Sequence, residues 1–178
     1  MNCTPVGPAG VLRFEPKAFG DSRGWFHEAW RSSDYSAHGL PKDLVQLNVS
    51  RSAKGVVRGL HFQEPKPQGK LVMCLEGQVV DYAVDIRPGS ATYGQWWCAE
   101  LTDENHHQLW VPPGFAHGFE VLSDSCLFAY LMSEVYLPEF DRAIRYDDPT
   151  IGIQWKTSSP LLSAKDHAAP LLSEIERY

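Results

Sequence analysis

Turn-forming residues recur along the whole chain at short, fairly even intervals. The 14 glycines and 13 prolines separate short segments in which apolar and polar residues alternate. The intervals are roughly 8–14 residues, which is typical of antiparallel sandwiches and barrels. Helical signals are limited to residues 33–38 and to a short helix over 164–166 that Ser163 could cap. The sequence therefore predicts an all-β fold with short helical segments and, because no repeat or linker interrupts it, a single domain over residues 1–178.

Two segments show the alternation most clearly. Every second residue of 80–86 is a large apolar one, which places an apolar face on one side of a strand. In residues 45–50 the apolar side chains oppose Gln46, Asn48 and Ser50. A strand with such a polar second face either lies against water or lines a polar cavity, and in a small barrel we expect the cavity.

Charge and hydropathy exclude several classes of function. Sixteen Lys and Arg residues against 22 Asp and Glu residues give a net charge of −6. Without a basic run, neither nucleic acid nor a membrane surface is expected as a partner. No apolar run approaches the roughly 18 residues of a membrane span, and no secretory signal is visible. The four cysteines are scattered, so we expect reduced thiols in a cytoplasmic protein, three of them in the core.

Two of the seven histidines lie in unusual local sequences, His61 in RGLHFQ and His117 in PGFAHGF. A single strand histidine is more often a packed residue than a functional one, but two beside glycines in one predicted barrel make a functional role and a packing role equally good interpretations. Such a pair could also bind zinc or iron. Metal-binding barrels of the cupin type usually present His-x-His, however, and Gln63 stands two residues after His61. Two histidines without a third ligand are too few, so no metal site is predicted.

A tight turn at residues 123–124 suggests which side chains face these histidines. If it joins two neighbouring strands of one hairpin, His117 stands opposite Tyr130, with Cβ atoms about 5 Å apart. A histidine facing a tyrosine is consistent with proton transfer, and the alternative is a packed aromatic pair. A bulge in the hairpin would break this pairing.

Arg58 and His61 are three residues apart, so a regular strand would send them to opposite faces. Gly59 between them permits a β-bulge that could aim both side chains into one cavity. An acidic protein that binds a diphosphate must gather its cations locally, because the overall field repels the ligand. Arg23, Arg51, Arg58 and Lys70 are the candidates for such a cluster. Ordinary surface charge is the alternative for each of them.

Several segments of the sequence together resemble those of a known family, the dTDP-4-dehydrorhamnose 3,5-epimerases. The opening D-x-R-G-x-F-x-E pattern is matched by residues 21–28, and further matches follow in order over about residues 20–171. Any one of these motifs is weak, but so many in the same order are very specific. The other matching segments are 46–52 (QLNVSRS), 58–63 (RGLHFQ), 68–70 (QGK), 84–90 (VDIRPGS), 113–119 (PGFAHGF), Tyr130 with 136–138 (YLP), and 162–166 (LSAKD).

The resemblance implies a cupin-like antiparallel β-barrel of the jelly-roll type, without a metal or another cofactor. It implies a homodimer in which strands are exchanged, so that Arg23 and Glu28 reach the site of the partner subunit. The expected ligand is a nucleotide-diphosphate deoxysugar, most simply a dTDP-linked one. The expected reaction inverts carbons 3 and 5 of dTDP-4-dehydro-6-deoxy-D-glucose to give dTDP-4-dehydro-L-rhamnose, a precursor of L-rhamnose.

The resemblance also implies residue roles. His61 would be the general base, oriented by Asp166, and Tyr130 the general acid on the opposite face of the sugar ring. Lys70 would stabilise the enolate oxygen. The residues that would hold the nucleotide sugar are Arg23, Phe26, Glu28, Gln46, Asn48, Arg58, His117, Tyr136, Asp141 and Lys165.

The sequence departs from the family at two positions, and several alternatives stay open. Asp141 stands where the family often has Glu, and Leu131 where it often has Lys. The shorter Asp141 puts its ligand contact in doubt. The alternatives are inversion of a single carbon, 3,4-ketoisomerisation of another 4-keto sugar, a metal-dependent cupin, or a binding module without catalysis. The sequence does not determine the sugar or the nucleobase.

Overall fold

The computed structural model describes residues 1–175, and strands dominate it. Among these residues, no helix has the length and apolar character needed to cross a membrane. The short helices expected near residues 33–38 and 164–166 are confirmed, and Ser163 Oγ accepts the backbone N–H of Asp166 at 3.1 Å. The elements are β1 (Asn2–Pro5), β2 (Leu12–Glu15), β3 (Ala18–Asp21), β4 (Gly24–His27), α1 (Ser32–Ser36), β5 (Gln46–Ala53), β6 (Val57–Gln63), β7 (Lys70–Glu76), β8 (Gln78–Asp85), β9 (Trp96–Thr102), β10 (Gln108–Val111), β11 (Phe115–Val121), β12 (Ser125–Met132), β13 (Asp141–Ala143) and α2 (Ala164–His167).

The strands form two main antiparallel sheets that face each other. One has the order β1-β2-β10-β7-β12-β5, the other the order β13-β6-β11-β8-β9, and β3 pairs only with β4 in a separate hairpin. The all-β prediction is confirmed. The closed barrel is not found in the described residues, because the edge strands of the two sheets do not pair with each other. Apolar side chains hold the sheets together instead, such as Phe119 stacked on Phe128 with ring centroids 4.2 Å apart.

The predicted pairing of His117 with Tyr130 is wrong. β11 lies between β6 and β8, whereas β12 lies between β5 and β7 in the other sheet. The turn at residues 123–124 therefore crosses from one sheet to the other. The two strands meet through side chains across the core, where Phe119 stacks on Phe128, rather than through a backbone ladder.

The bulge expected at Gly59 is confirmed. His61 pairs with His117 and Arg58 with Phe119, so the register between β6 and β11 shifts at this point. Gly59 has a φ of +133°, a conformation that favours glycine. As a result, Arg58 and His61 line one cavity although three residues separate them.

The outer face of β8 is covered by the C-terminal part of the chain, residues 144–172, called the strap below. The buried carboxylate of Glu120 on β11 anchors it by accepting the backbone N–H groups of Lys156 and Thr157 at 2.9–3.0 Å. Tyr82 donates its hydroxyl to the same carboxylate at 2.7 Å. The apolar face predicted for residues 80–86 thus packs against the strap, whose buried residues there are Ile144, Ile151, Ile153 and Leu172.

The expectation of three core cysteines is wrong, because only Cys74 and Cys126 are buried among the four free thiols. Cys98 is exposed and Cys3 is half-buried. Cys98 lies on the edge strand β9, between Trp97 and Ala99, which pack against the core. Alternation along the strand therefore turns Cys98 outward.

Candidate active site

A cavity of about 160 Å³ lies at the end of the sandwich where β5 and β7 begin and where β6 and β12 end. A second cavity of about 300 Å³ lies beside it, between β6 and the strap, and shares His61 and Lys165 with the first. Both main sheets thus contribute to the site. The first cavity is lined by Asn48, His61, Phe62, Gln63, Gln68, Lys70, Tyr130, Met132, Tyr136, Asp141 and Lys165.

His61 and Asp166 form a hydrogen-bonded pair at the wall between the two cavities. His61 Nε2 lies 2.5 Å from Asp166 Oδ1. Burial alone would raise the pKa of Asp166, but the hydrogen bond and the positive charge that His61 can carry lower it below its usual range. An ionised Asp166 accepts the Nε2 proton, which leaves the lone pair of a neutral His61 on Nδ1.

Tyr130 reaches the cavity from the opposite sheet. It lies on β12 directly beside Asn48 on β5, and Asn48 Nδ2 donates to its hydroxyl at 3.2 Å. Asn48, on the polar side of β5, therefore lines the cavity, as expected. Its apolar side faces outward, where Val45, Leu47 and Val49 are more than half exposed.

Lys70 lies at the start of β7 with only 7% of its surface exposed. Burial lowers the pKa of Lys70 to about 8, although the negative charges of Asp81 and Asp141 oppose this shift. Its Nζ lies 3.5 Å from the backbone oxygen of His61. At pH 7 the side chain is therefore mostly a cation, placed in a cavity that screens it little from any ligand.

A second histidine–carboxylate pair lies behind the cavity and involves a residue that the sequence analysis missed. His117 Nε2 lies 2.8 Å from Asp81 Oδ2, and both residues are buried. Burial raises the pKa of Asp81 and lowers the pKa of His117, so both groups resist ionisation. The signal was an aspartate inside the apolar run of β8, because such a residue is rarely buried without a partner.

Three polar residues cluster at the mouth of the cavity. Tyr136 donates its hydroxyl to Asp141 Oδ2 at 3.0 Å, and Lys165 forms an ion pair with the same carboxylate. Gln46 lies next to them, donating to Asn48 Oδ1 at 3.0 Å. Every one of these residues was expected at the site from the sequence.

Three predicted site residues lie elsewhere in this chain. Arg23 and Phe26 are on the hairpin of β3 and β4, with Arg23 bonded to Asp21 and its side chain 88% exposed. Glu28 follows the hairpin and forms an ion pair with Arg31. Within one chain the expected cation cluster is thus incomplete, because Lys70 lies in the first cavity and Arg58 in the second. Arg23 lines neither cavity, and Arg51 forms an ion pair with Glu76 instead.

No group of three or more His, Cys, Asp or Glu side chains in residues 1–175 is arranged to hold a metal ion. The two histidine–carboxylate pairs stay separate pairs, each with its own acid. The site can support proton transfer, because His61 and Tyr130 enter it from opposite sheets and the buried Lys70 supplies a positive charge.

The sequence model of the dTDP-4-dehydrorhamnose 3,5-epimerase family matches residues 7–174. The chain belongs to this family. A dTDP-4-dehydrorhamnose 3,5-epimerase from Methanothermobacter thermautotrophicus is 48% identical over 172 residues, covering 95% of this chain and 93% of the relative. The all-β, cupin-like fold of the epimerase family is thereby confirmed for this chain, although its sheets stay open.

Solved structures and a second type of relative extend the comparison. The 3,5-epimerase from Legionella pneumophila, solved with dTDP-4-keto-L-rhamnose, superposes with a TM-score of 0.96 at 46% identity, covering 99% of this chain and 98% of that one. A dTDP-4-dehydrorhamnose 3-epimerase from Streptomyces niveus is 39% identical over 176 residues, covering 98% of this chain and 85% of the relative. The family therefore includes enzymes named for one carbon and enzymes named for two.

Proposed function

We propose that this chain inverts carbons 3 and 5 of dTDP-4-dehydro-6-deoxy-D-glucose and produces dTDP-4-dehydro-L-rhamnose. The observation that carries the proposal is that His61, bonded to Asp166, enters the cavity from one sheet, whereas Tyr130 and the buried Lys70 enter it from the other. A binding module would not need a paired base, a facing phenol and a buried cation together.

The first step is removal of a proton from the carbon next to the ketone. The ketone acidifies the C–H bonds of carbons 3 and 5, because the electron pair left behind delocalises onto its oxygen as an enolate. His61 accepts the proton on Nδ1, and Asp166 stabilises the imidazolium that forms. Lys70 supplies a positive charge to the enolate oxygen, a role comparable to that of an oxyanion donor and worth about 3–4 kcal/mol.

The second step returns a proton to the opposite face of the same carbon, which inverts it. Tyr130 donates its phenolic proton to the enolate. The imidazolium of His61 then releases its proton to solvent and the tyrosinate takes one up from solvent, which restores both groups. The hydrogen bond from Asn48 Nδ2 to the phenol oxygen supports the charge that develops there. A repeat of both steps at the second carbon completes the reaction. The proposal includes no metal and no other cofactor.

The buried amine predicts how the rate depends on pH. A lysine loses its charge as the pH rises through its pKa, and for Lys70 that value is about 8. We expect kcat/KM for proton exchange to fall as the pH rises above 8, because the neutral amine no longer stabilises the enolate. The Lys70→Arg variant keeps its charge at high pH, so its decline should lie at higher pH even if its maximum rate is lower. If kcat/KM of Lys70→Arg falls at the same pH as that of the wild type, the decline at high pH belongs to another titrating group.

Proton NMR in heavy water tests the proposed function directly. With dTDP-4-dehydro-6-deoxyglucose as the substrate, the wild type should incorporate deuterium at carbons 3 and 5 and yield the L-configured product. Absence of exchange at both carbons, in a folded protein that binds dTDP, would refute the epimerase proposal in favour of a binding module.

Inversion of carbon 3 alone is the second candidate function, and the 39% identical relative named a 3-epimerase is the observation that favours it. Both reactions use the same base, acid and cation. They differ in whether the half-reacted sugar ring is held long enough for a second proton removal. The same NMR spectrum distinguishes them, because exchange at carbon 3 without exchange at carbon 5 identifies the mono-epimerase.

A homodimer with exchanged hairpins completes the proposal. The hairpin of β3 and β4 exposes Trp25 and Phe26 by 54% and 69%, and β5 leaves an open sheet edge beside its exposed apolar face. Pairing with a second copy would cover these surfaces and would bring Arg23 and Phe26, with Glu28, to the cavity of the partner subunit. Analytical ultracentrifugation should give twice the chain mass, and a fully active monomer would exclude the exchange.

Further residues are proposed to bind the ligand, and the thiols indicate where in the cell the enzyme works. Asn48 and Arg58 line the two cavities and Gln46 lies beside the first, and these three residues are proposed to hold the nucleotide sugar, together with the cluster at the mouth. His117 lies opposite His61 on the neighbouring strand but lines neither cavity, and it is proposed only to lie close to the ligand. The four free thiols suit the reducing cytoplasm, where we place the enzyme.

A further inference from the structure

The segment of residues 133–137 lies over the cavity but belongs to no strand. It leads from β12, which carries Tyr130, to the turn before β13, which carries Asp141. Its own residue Tyr136 lines the cavity and is 46% exposed. The path of this segment therefore decides where the Tyr136 ring stands.

Gln63 holds this segment with both ends of its side-chain amide. Its Nε2 donates to the backbone oxygen of Val135 at 3.2 Å and to that of Lys66 at 2.8 Å. Its Oε1 accepts the backbone N–H of Leu137 at 2.8 Å. The two residues on either side of Tyr136 are thus fixed by one side chain.

Two further glutamines also bind the backbone of this segment, and the three glutamines together are called the clamp below. Gln68 Nε2 donates to the backbone oxygen of Glu134 at 3.0 Å, and Gln46 Oε1 accepts the backbone N–H of Tyr136 at 2.9 Å. Side chains thereby replace the ladder that a neighbouring strand would supply. Among the three glutamines, Gln63 makes the most of these bonds and is only 3% exposed.

The amide of Gln63 has no donor left for a ligand. A glutamine amide carries two N–H donors, and Lys66 and Val135 accept both. Gln63 therefore lines the cavity as part of its frame, although it lies on the same strand as His61 and two residues beyond it.

We propose that Gln63 is a positioning residue, which sets the place of Tyr136 at the mouth of the cavity and thereby the binding of the nucleotide sugar. This inference rests on the proposed function. In the described residues, the side chain of Tyr136 makes one hydrogen bond, to Asp141, so the backbone clamp provides the remaining restraint on the ring. Removing the amide leaves Val135 O and Leu137 N without their partners and releases the segment.

A double-mutant cycle with Gln63→Met and Tyr136→Ala tests this role, because methionine keeps the length of the side chain without its hydrogen bonds. We expect Gln63→Met to raise KM about 10-fold with kcat within about threefold of the wild type, since binding and not proton transfer is affected. In the Tyr136→Ala background, Gln63→Met should change KM by less than about twofold, because the group it positions is already absent. Gln78→Met, at the opposite end of the sandwich, is the matched control and should leave KM unchanged.

Independent multiplication of the two KM effects, or a fall in kcat at unchanged KM, would overturn the positioning role. Amide hydrogen exchange of residues 133–137 reads the clamp without any substrate, and it should speed up at least about 10-fold in Gln63→Met. Unchanged amide exchange of residues 133–137 in Gln63→Met would overturn the inference, whether or not the wild type is an active epimerase. Absence of epimerase activity in the wild type would refute only the proposed function. If Gln63→Met does not fold, Gln68→Met, which removes one bond, goes through the same cycle with a smaller effect in the same direction.

Discussion

His61→Ala is expected to lower deuterium incorporation at carbons 3 and 5 by about 10³-fold or more. General-base catalysis contributes about 10²–10⁴-fold, and among the described residues no other imidazole lines the first cavity. The measurement is proton NMR in heavy water on the wild type and the variant at the same substrate concentration. Because alanine is smaller than histidine, the variant should still bind dTDP, which separates loss of chemistry from loss of binding.

His167→Ala is the matched control for this variant. His167 lies in α2, directly after Asp166, and is exposed. Its removal takes away an imidazole close to the site but leaves the pair of His61 and Asp166 intact, so exchange should stay within about twofold of the wild type. Normal exchange in His61→Ala would show that another group removes the proton.

Tyr130→Phe should separate proton removal from inversion. In this variant His61 can still take a proton, exchange it with solvent deuterium and return it to the same face. We expect exchange to persist, whereas formation of the inverted product falls by about 10²–10³-fold because the opposite face has no donor. The measurement follows both quantities in one experiment, exchange by NMR and product by chromatography.

Tyr146→Phe serves as the control for this loss of a hydroxyl. Tyr146 lies on the strap near Trp155, with ring centroids 6.3 Å apart, and does not line either cavity. Inversion at the wild-type rate in Tyr130→Phe would show that water or another side chain protonates the enolate. Equal losses of exchange and inversion would instead indicate that Tyr130 also takes part in proton removal.

Most residues of the candidate site could be expected to lie together from the sequence, because the motifs that resemble the family lie on strands whose ends meet at one cavity. His61, Lys70 and Tyr130 come from three strands of two sheets. The alternation of polar and apolar residues along β5 correctly indicated that Asn48 lies on the side of the strand that faces the cavity. The β-bulge at Gly59 followed from a simple conflict between a three-residue spacing and a two-residue period.

The partner of His117 could not be predicted, because turn residues do not tell whether two strands join within a sheet or across the core. In this fold the packing of Phe119 on Phe128 across the core favours the crossing, and that contact depends on all the strands around it. His117 consequently pairs with Asp81, a buried carboxylate on the neighbouring strand β8. The clamp by Gln63 was equally hidden, since its bonds to Val135 and Leu137 run to backbone groups more than 70 residues away.

The position of Asp166 in the strap has a consequence for synthesis of the protein. The ring of His61 and the carboxylate that orients it are 105 residues apart. At about 5–20 residues per second, a ribosome needs roughly 5–20 s to add the second after the first. The ribosome therefore completes every described strand of both sheets, and His61 with them, before it adds the carboxylate that fixes the tautomer of His61.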